Sequence, residues 1–257
     1  MQITASFIWN NTAYAADLSK GHDLSIPYIA GPGRLSCWYV GPIEIEPVRS
    51  DAFTGSVAEG GSVNFRNITF NPHGHGTHTE SYGHITPEVY SVNRAIKSAF
   101  MPALVLTVSP YRVDGRSEVA SPGDYVIDAD AIPDGSLPPA VIIRTTPNNS
   151  LKLTRAYSDT NPPFMLPEAA QKLVSAGVEH LLIDLPSVDR EFDQGKLRCH
   201  HIFFGIPDAP RAHATITELI YVPNAVTDGL YLMNLQTAPF ENDATPSRPV
   251  IYKASAQ

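Results

Sequence analysis

Short alternating or continuous apolar runs, separated by prolines and glycines, recur along the 257 residues of the chain. A period of two residues, or a brief unbroken apolar run bounded by turn formers, is the mark of a strand. On that basis strands are predicted at 2–9 (QITASFIW), 62–70 (SVNFRNITF), 102–111 (PALVLTVSPY) and 138–146 (PPAVIIRTT). Further strands are predicted at 178–185 (VEHLLIDL), 213–222 (HATITELIYV), 229–236 (GLYLMNLQ) and 248–254 (RPVIYKA).

Helical signals are fewer. In LPEAAQKLVSAG, Pro167 suits a first helical position, the middle is rich in helix formers, and Gly177 stands where a C-terminal cap belongs. This helix leads into the strand at 178–185 and follows the one at 138–146. The stretch is therefore a candidate right-handed βαβ unit in a partly parallel sheet. Two more helices are predicted at 91–100 (SVNRAIKSAF) and 195–205 (GKLRCHHIFFG). No repeat, low-complexity tract or charged linker divides the chain, so residues 1–257 read as a single α/β domain, a mixed, partly parallel β-sheet with flanking helices.

Composition narrows the function. A hydrophobic fraction of 43% with 17% charged residues lies far from the disordered regime, so a folded enzyme or binding domain is expected. The formal charge of −8 and a pI near 5.5 argue against nucleic acid or an anionic membrane as partner, because neither would meet a basic patch. Cys37 and Cys199 are far apart and have no metal-type spacing, which suits two reduced thiols. The N-terminal residues lack a basic start followed by an apolar run, and no apolar stretch approaches the ~20 residues of a membrane span. A cytoplasmic protein acting on a small molecule is the expectation.

The chemistry concentrates in NPHGHGTHTESYGH (71–84), which holds four histidines and one carboxylate. Its HGTH resembles the catalytic-histidine setting of subtilisin-like proteases, but the chain has no glycine-flanked nucleophilic serine and no matching upstream aspartate. Imidazole and carboxylate are instead the ligands of hydrolytic divalent metals. In an extended segment His78, Glu80, Tyr82 and His84 share one face, with Thr77 and Thr79 on the other. A solvated polar face would account for an isolated H-x-E; the density of the cluster and its glycines favour a metal site. Glu218, in the apolar strand ATITELIYV, is costly to bury unless paired or bound to a cation, and His200 and His201 begin a helix nearby in sequence.

With these residues assembled, the sequence resembles the cyclase family of metal-dependent hydrolases, which includes bacterial kynurenine formamidase and isatin hydrolase. Gly76, Thr77, His78, Glu80 and His84 fall on the family motif H-x-G-T-H-x-D-x-P-x-H. LLIDLPSVD followed by CHH, TITELIYV, and MNLQTAPFENDATPSRPVIY are similar to later family segments in the same order. The resemblance implies the cyclase β/β/α fold, with His78 and Glu80 as metal ligands and His200 and Glu218 completing a second site. It further implies His84 as a proton-transfer residue, Trp38 near the substrate, and a homodimer or higher homo-oligomer. Three positions depart from the motif: Glu80 replaces aspartate, Tyr82 replaces proline, and Gly74 stands at the first histidine. The missing ligand falls to His73, to His75 or to water, with His73 preferred.

The activity expected is hydrolysis of a C–N bond in an N-formyl compound or a small cyclic amide by a metal-activated water, with zinc or manganese and one or two ions per chain. The alternatives are a lactone hydrolase or dehydrating cyclase on the same metal, or a metal-containing binding protein without catalysis.

Overall fold

A computed structural model describes Met1 and residues 3–257. Ten strands form the principal sheet: β1 (Thr4–Trp9), β2 (Thr12–Asp17), β3 (His22–Asp23), β4 (His78–Glu80), β5 (Phe100–Val108), β6 (Ala140–Thr145), β7 (His180–Ile183), β8 (Thr215–Glu218), β9 (Gly229–Thr237) and β10 (Ala244–Ala256). Seven of them close on themselves in the order β10-β9-β5-β6-β7-β8-β4, because β4 pairs with both β8 and β10. Closure leaves this ring without free edges. The pairs β5–β6, β6–β7 and β7–β8 are parallel and the rest antiparallel.

The parallel run is the predicted βαβ unit. Helix α1 (Pro167–Ser175) crosses from β6 to β7, begins on Pro167, and buries Ala169, Ala170 and Leu173. Gly177 follows it with a φ of +89°, in the left-handed region open to glycine at no steric cost. Helix α2 (Arg198–Phe204) packs beside α1 and buries Cys199, His200, Phe203 and Phe204. Alternation along the strands divides the apolar residues between two faces. Val141, Ile143, Leu181, Ile183 and Ile216 meet the helices, while Ala140, Ile142 and Leu182 turn inward to Val105, Tyr231, Met233 and Ile251.

Several predicted boundaries shift. The strand predicted at 2–9 runs over Thr4–Trp9, and its Gln2 lies outside the described residues. It forms a hairpin with β2, a strand not predicted from the alanine-rich TAYAAD. The helix predicted at 91–100 is reduced to Val92–Ala95. The chain must be extended from Ala99 onward, since the Ala99 carbonyl accepts from the Leu235 N–H at 2.8 Å and Phe100 is in register with Asn234. Ladder pairing with a long central strand outweighs the helix propensity of RAIKSA. Among the described residues no helix is long and apolar enough to cross a membrane. Cys37 and Cys199 are free and buried.

Candidate metal centre

β4 carries the site. Its register sets His78 opposite Glu218 of β8 and Glu80 opposite Ala244 of β10. His78 and Glu80 therefore emerge on the helix-facing side, level with Glu218, and Thr79 points the other way to bond Thr217 at 2.8 Å. The extended stretch ends at Glu80. Ser81 caps a 3-10 turn over Tyr82–Ile85, which brings His84 back towards Glu80. Tyr82 thus leaves the face predicted for it and stacks on Tyr90, ring centroids 4.4 Å apart.

Gly83 makes that turn fit. A Cβ there would collide with the backbone N and O of Tyr90, atoms that cannot swing aside. Gly83→Ala is expected to destabilise the fold by roughly 1–3 kcal/mol, the usual penalty of overpacking, read as a lowered midpoint in urea unfolding with an unchanged slope.

The absence of a histidine at Gly74 has a steric explanation. A Cβ at Gly74 would stand 2.7 Å from Val40 Cγ2 and 3.1 Å from the Cys37 carbonyl, leaving no room for a histidine at that position. The helical turn Pro72–His75 instead directs His73 into the cluster, where its Nδ1 lies 3.2 Å from Glu80 Oε2. His75 faces elsewhere: its Nε2 bonds the Gly41 carbonyl at 2.7 Å and its Nδ1 accepts from the Asn71 N–H at 2.9 Å.

Around Glu80 the remaining groups converge. Glu80 Oε1 is 3.0 Å from His200 Nε2, and Glu80 Oε2 is 3.9 Å from His84 Nε2. His78 Nε2 is 3.5 Å from Glu218 Oε2, and His200 Nε2 is 3.8 Å from Glu218 Oε1. His73, His78, Glu80, His84, His200 and Glu218, from five separate elements, thus meet at one place. His201 does not join them; its Nδ1 faces the Ile206 carbonyl at 3.3 Å. Trp38, Val40 and Leu197 wall a cavity of about 320 Å³ whose floor includes His84, His200 and Glu218.

Two carboxylates escaped the sequence reading. Asp189 accepts from the N–H groups of Cys199 and His200 and from His200 Nδ1, the last at 2.7 Å, so it aims His200 Nε2 inward. Its signal was the Ser-x-Asp of LLIDLPSVD. Asp243 lies immediately before the last strand, 3.1 Å from His73 Nε2 and 3.3 Å from His84 Nδ1. It sits in the turn-rich part of MNLQTAPFENDATPSRPVIY, a segment that carries part of the family resemblance but in which this residue was not singled out.

The electrostatics favour positive charge. Burial by itself would push Glu80 up, but His84, His200 and His73 together hold it well below the usual carboxylate range. Burial lowers His73, yet its hydrogen bonds to Asp243 and Glu80 outweigh this and raise it to about 10. His200 is raised by Asp189 and Glu80 against its own desolvation. Protons on these imidazoles supply the cationic charge that the carboxylates require, and a dication would supply the same. His78 Nε2, both oxygens of Glu80 and His200 Nε2 are also buried without a well-formed hydrogen bond. Orphaned inward-facing acceptors of this kind are costly unless a cation meets them. Three overlapping sets, His73–His78–Glu80, His73–His84–Asp243 and Glu80–His84–His200, have ligand atoms close enough to hold an ion.

Comparison with known proteins agrees with this architecture. A search of curated proteins finds no match. Among solved structures, an isatin hydrolase bound to the product analogue thioisatinate superposes with a TM-score of 0.61 at 15% identity, covering 92% of this chain and 93% of its own. Isatin hydrolase A from Ralstonia solanacearum gives 0.59 at 17% identity, covering 91% of each chain. A potential metal-dependent hydrolase with cyclase activity gives 0.59 at 16% identity, covering 91% of this chain and 98% of its own. At these identities the likeness establishes the fold. The Cyclase family model matches residues 16–190, and with that match the chain belongs to the Cyclase family.

Proposed function

We propose that residues 1–257 form one metal-dependent hydrolase unit that opens the C–N bond of an N-formyl compound or a small cyclic amide. The observation that carries this reading is the set of buried, unpartnered inward atoms on His78, Glu80 and His200 beneath an accessible cavity. The isatin hydrolases with the same fold support the choice of a cyclic amide. His73, His78, Glu80, His200 and Glu218 would hold one or two divalent ions, zinc or manganese. Such an ion, when bound, polarises a carbonyl and makes water acidic enough to attack near neutral pH.

The chain's own groups supply the rest. Asp189 fixes His200 with Nε2 inward, and the Gly76 carbonyl, 3.1 Å from His78 Nδ1, does the same for His78. His84, at the cavity rim with Nε2 turned towards Glu80, takes the proton of the attacking water and returns it to the leaving nitrogen. Trp38, Val40 and Leu197 offer an apolar wall that orients a small substrate and limits water at the reacting carbonyl.

The test is elemental analysis of the purified protein with His78→Ala and Glu218→Ala beside it, followed by hydrolysis assays on isatin, N-formylanilines and small lactones. About one or two ions per chain in the wild type, lost in both variants, with turnover of the amides, is the expected result. No metal after reconstitution, or turnover of lactones alone, would overturn the reading.

A further inference from the structure

The outward nitrogen of each inward-facing histidine has a defined partner. His78 bonds the Gly76 carbonyl and His200 bonds Asp189. For His73 and His84 the partner is one atom, Asp243 Oδ2, 3.1 Å from His73 Nε2 and 3.3 Å from His84 Nδ1. The two rings stack, centroids 4.2 Å apart and planes inclined by 29°. The backbone locks this carboxylate in place. The Asp243 carbonyl accepts the Ser81 N–H at 3.0 Å, and the next residue, Ala244, is in register with Glu80.

An ionised carboxylate only accepts hydrogen bonds, so each ring nitrogen facing Oδ2 must carry its hydrogen. A bound cation that displaces the second proton leaves each neutral imidazole with its lone pair on the opposite nitrogen. For His73 that is Nδ1, 3.2 Å from Glu80 Oε2, and for His84 it is Nε2, 3.9 Å from the same oxygen. Both lone pairs converge where the metal reading needs one as a ligand and the other as a proton acceptor. Among the described residues no other group bonds His84 Nδ1. Without Asp243, His84 at the rim would be free to exchange tautomers or turn.

Resting on the hydrolase reading above, we propose that Asp243 is a positioning residue that sets the tautomers of His73 and His84 together through a single carboxylate oxygen. One anchored oxygen thereby couples metal retention to proton transfer.

The test uses zinc-loaded, 15N-histidine-labelled protein at pH 8, with two-bond proton–nitrogen NMR and His84→Gln to assign the His84 signals. Wild-type His84 is expected as the Nδ1–H tautomer. In Asp243→Ala it shifts towards Nε2–H, and zinc affinity falls about 10–100-fold, as for the loss of a group that orients a ligand. At saturating zinc, kcat on a hydrolysed amide falls about 10–100-fold with KM within about threefold, the split expected when an interaction specific to the transition state is lost. Asp243→Asn keeps an acceptor oxygen without the charge, so it should retain mostly Nδ1–H and show smaller losses; it also serves should Asp243→Ala fail to fold. A folded Asp243→Ala with the wild-type tautomer, or with unchanged zinc affinity and kcat, overturns the proposal. Should the wild type hydrolyse none of the substrates, the hydrolase reading fails, while the tautomer and zinc arms still judge Asp243.

Discussion

Glu80→Gln is expected to strip the protein of divalent metal and lower kcat/KM by at least about 1,000-fold, roughly 4 kcal/mol of transition-state stabilisation. The carboxylate is buried, and its two oxygens reach His200 at 3.0 Å and His73 at 3.2 Å. The amide is nearly the same size, so packing survives. What disappears is the anionic charge, and one of the two acceptor positions becomes an N–H₂ donor that cannot ligate a cation. Glu80→Asp is the informative companion. It restores the acid usual in the family motif but withdraws the carboxylate by about 1.5 Å, the length of one carbon–carbon bond. Metal binding should persist with an affinity weakened about 10–100-fold, because one shorter side chain cannot serve both histidines equally. Elemental analysis and zinc titration read both outcomes. A Glu80→Gln protein that keeps its metal and its activity would remove Glu80 from the centre of the site.

His84→Ala is expected to show the opposite pattern, with metal content unchanged and kcat reduced about 100- to 10,000-fold, the range for loss of a general acid–base group. His84 stands further from Glu80 than His73 or His200 does and is the most exposed of the clustered imidazoles, so removing it leaves the inner ligands in place. Steady-state kinetics at saturating metal, with KM near the wild-type value, would confirm the split. Loss of metal in this variant would instead make His84 a ligand, which the set Glu80–His84–His200 permits geometrically.

Local signals and long-range signals were unequally legible in the sequence. Pro167, the helix formers after it and Gly177 act within one helix, so α1 and the parallel pair it links could be read from the chain alone. Glu218 stood out because a charge in an apolar strand demands a partner. The choice between His73 and His75 could not be read, since it depends on Val40 and Cys37 crowding Gly74 from a distant segment. Tyr82 was misassigned because a period of two residues was continued past Ser81, whose side chain accepts the Gly83 N–H and starts the turn. Asp243 lay within a segment that resembles the family's, but as an acid among turn residues it was not singled out, and its meaning arises only from pairing across more than 150 residues. β2 was missed because alanines give little strand signature, and its pairing with β1 and the far end of β10 decides its state.

The closure of the barrel also bears on the order in which the molecule is made. β4 is held on one side by β8 and on the other by β10, so the strand bearing His78 and Glu80 acquires its second neighbour only when residues 244–246 arrive. Contacts so distant in sequence form late, after much of the loop-closure entropy has been spent. A chain still emerging from the ribosome can therefore own every proposed metal-binding group, the last of them Glu218 in β8, before the strand that carries His78 and Glu80 is held on both sides. An ion that binds the closed ring more tightly than the open one would draw the last step of folding to completion by mass action.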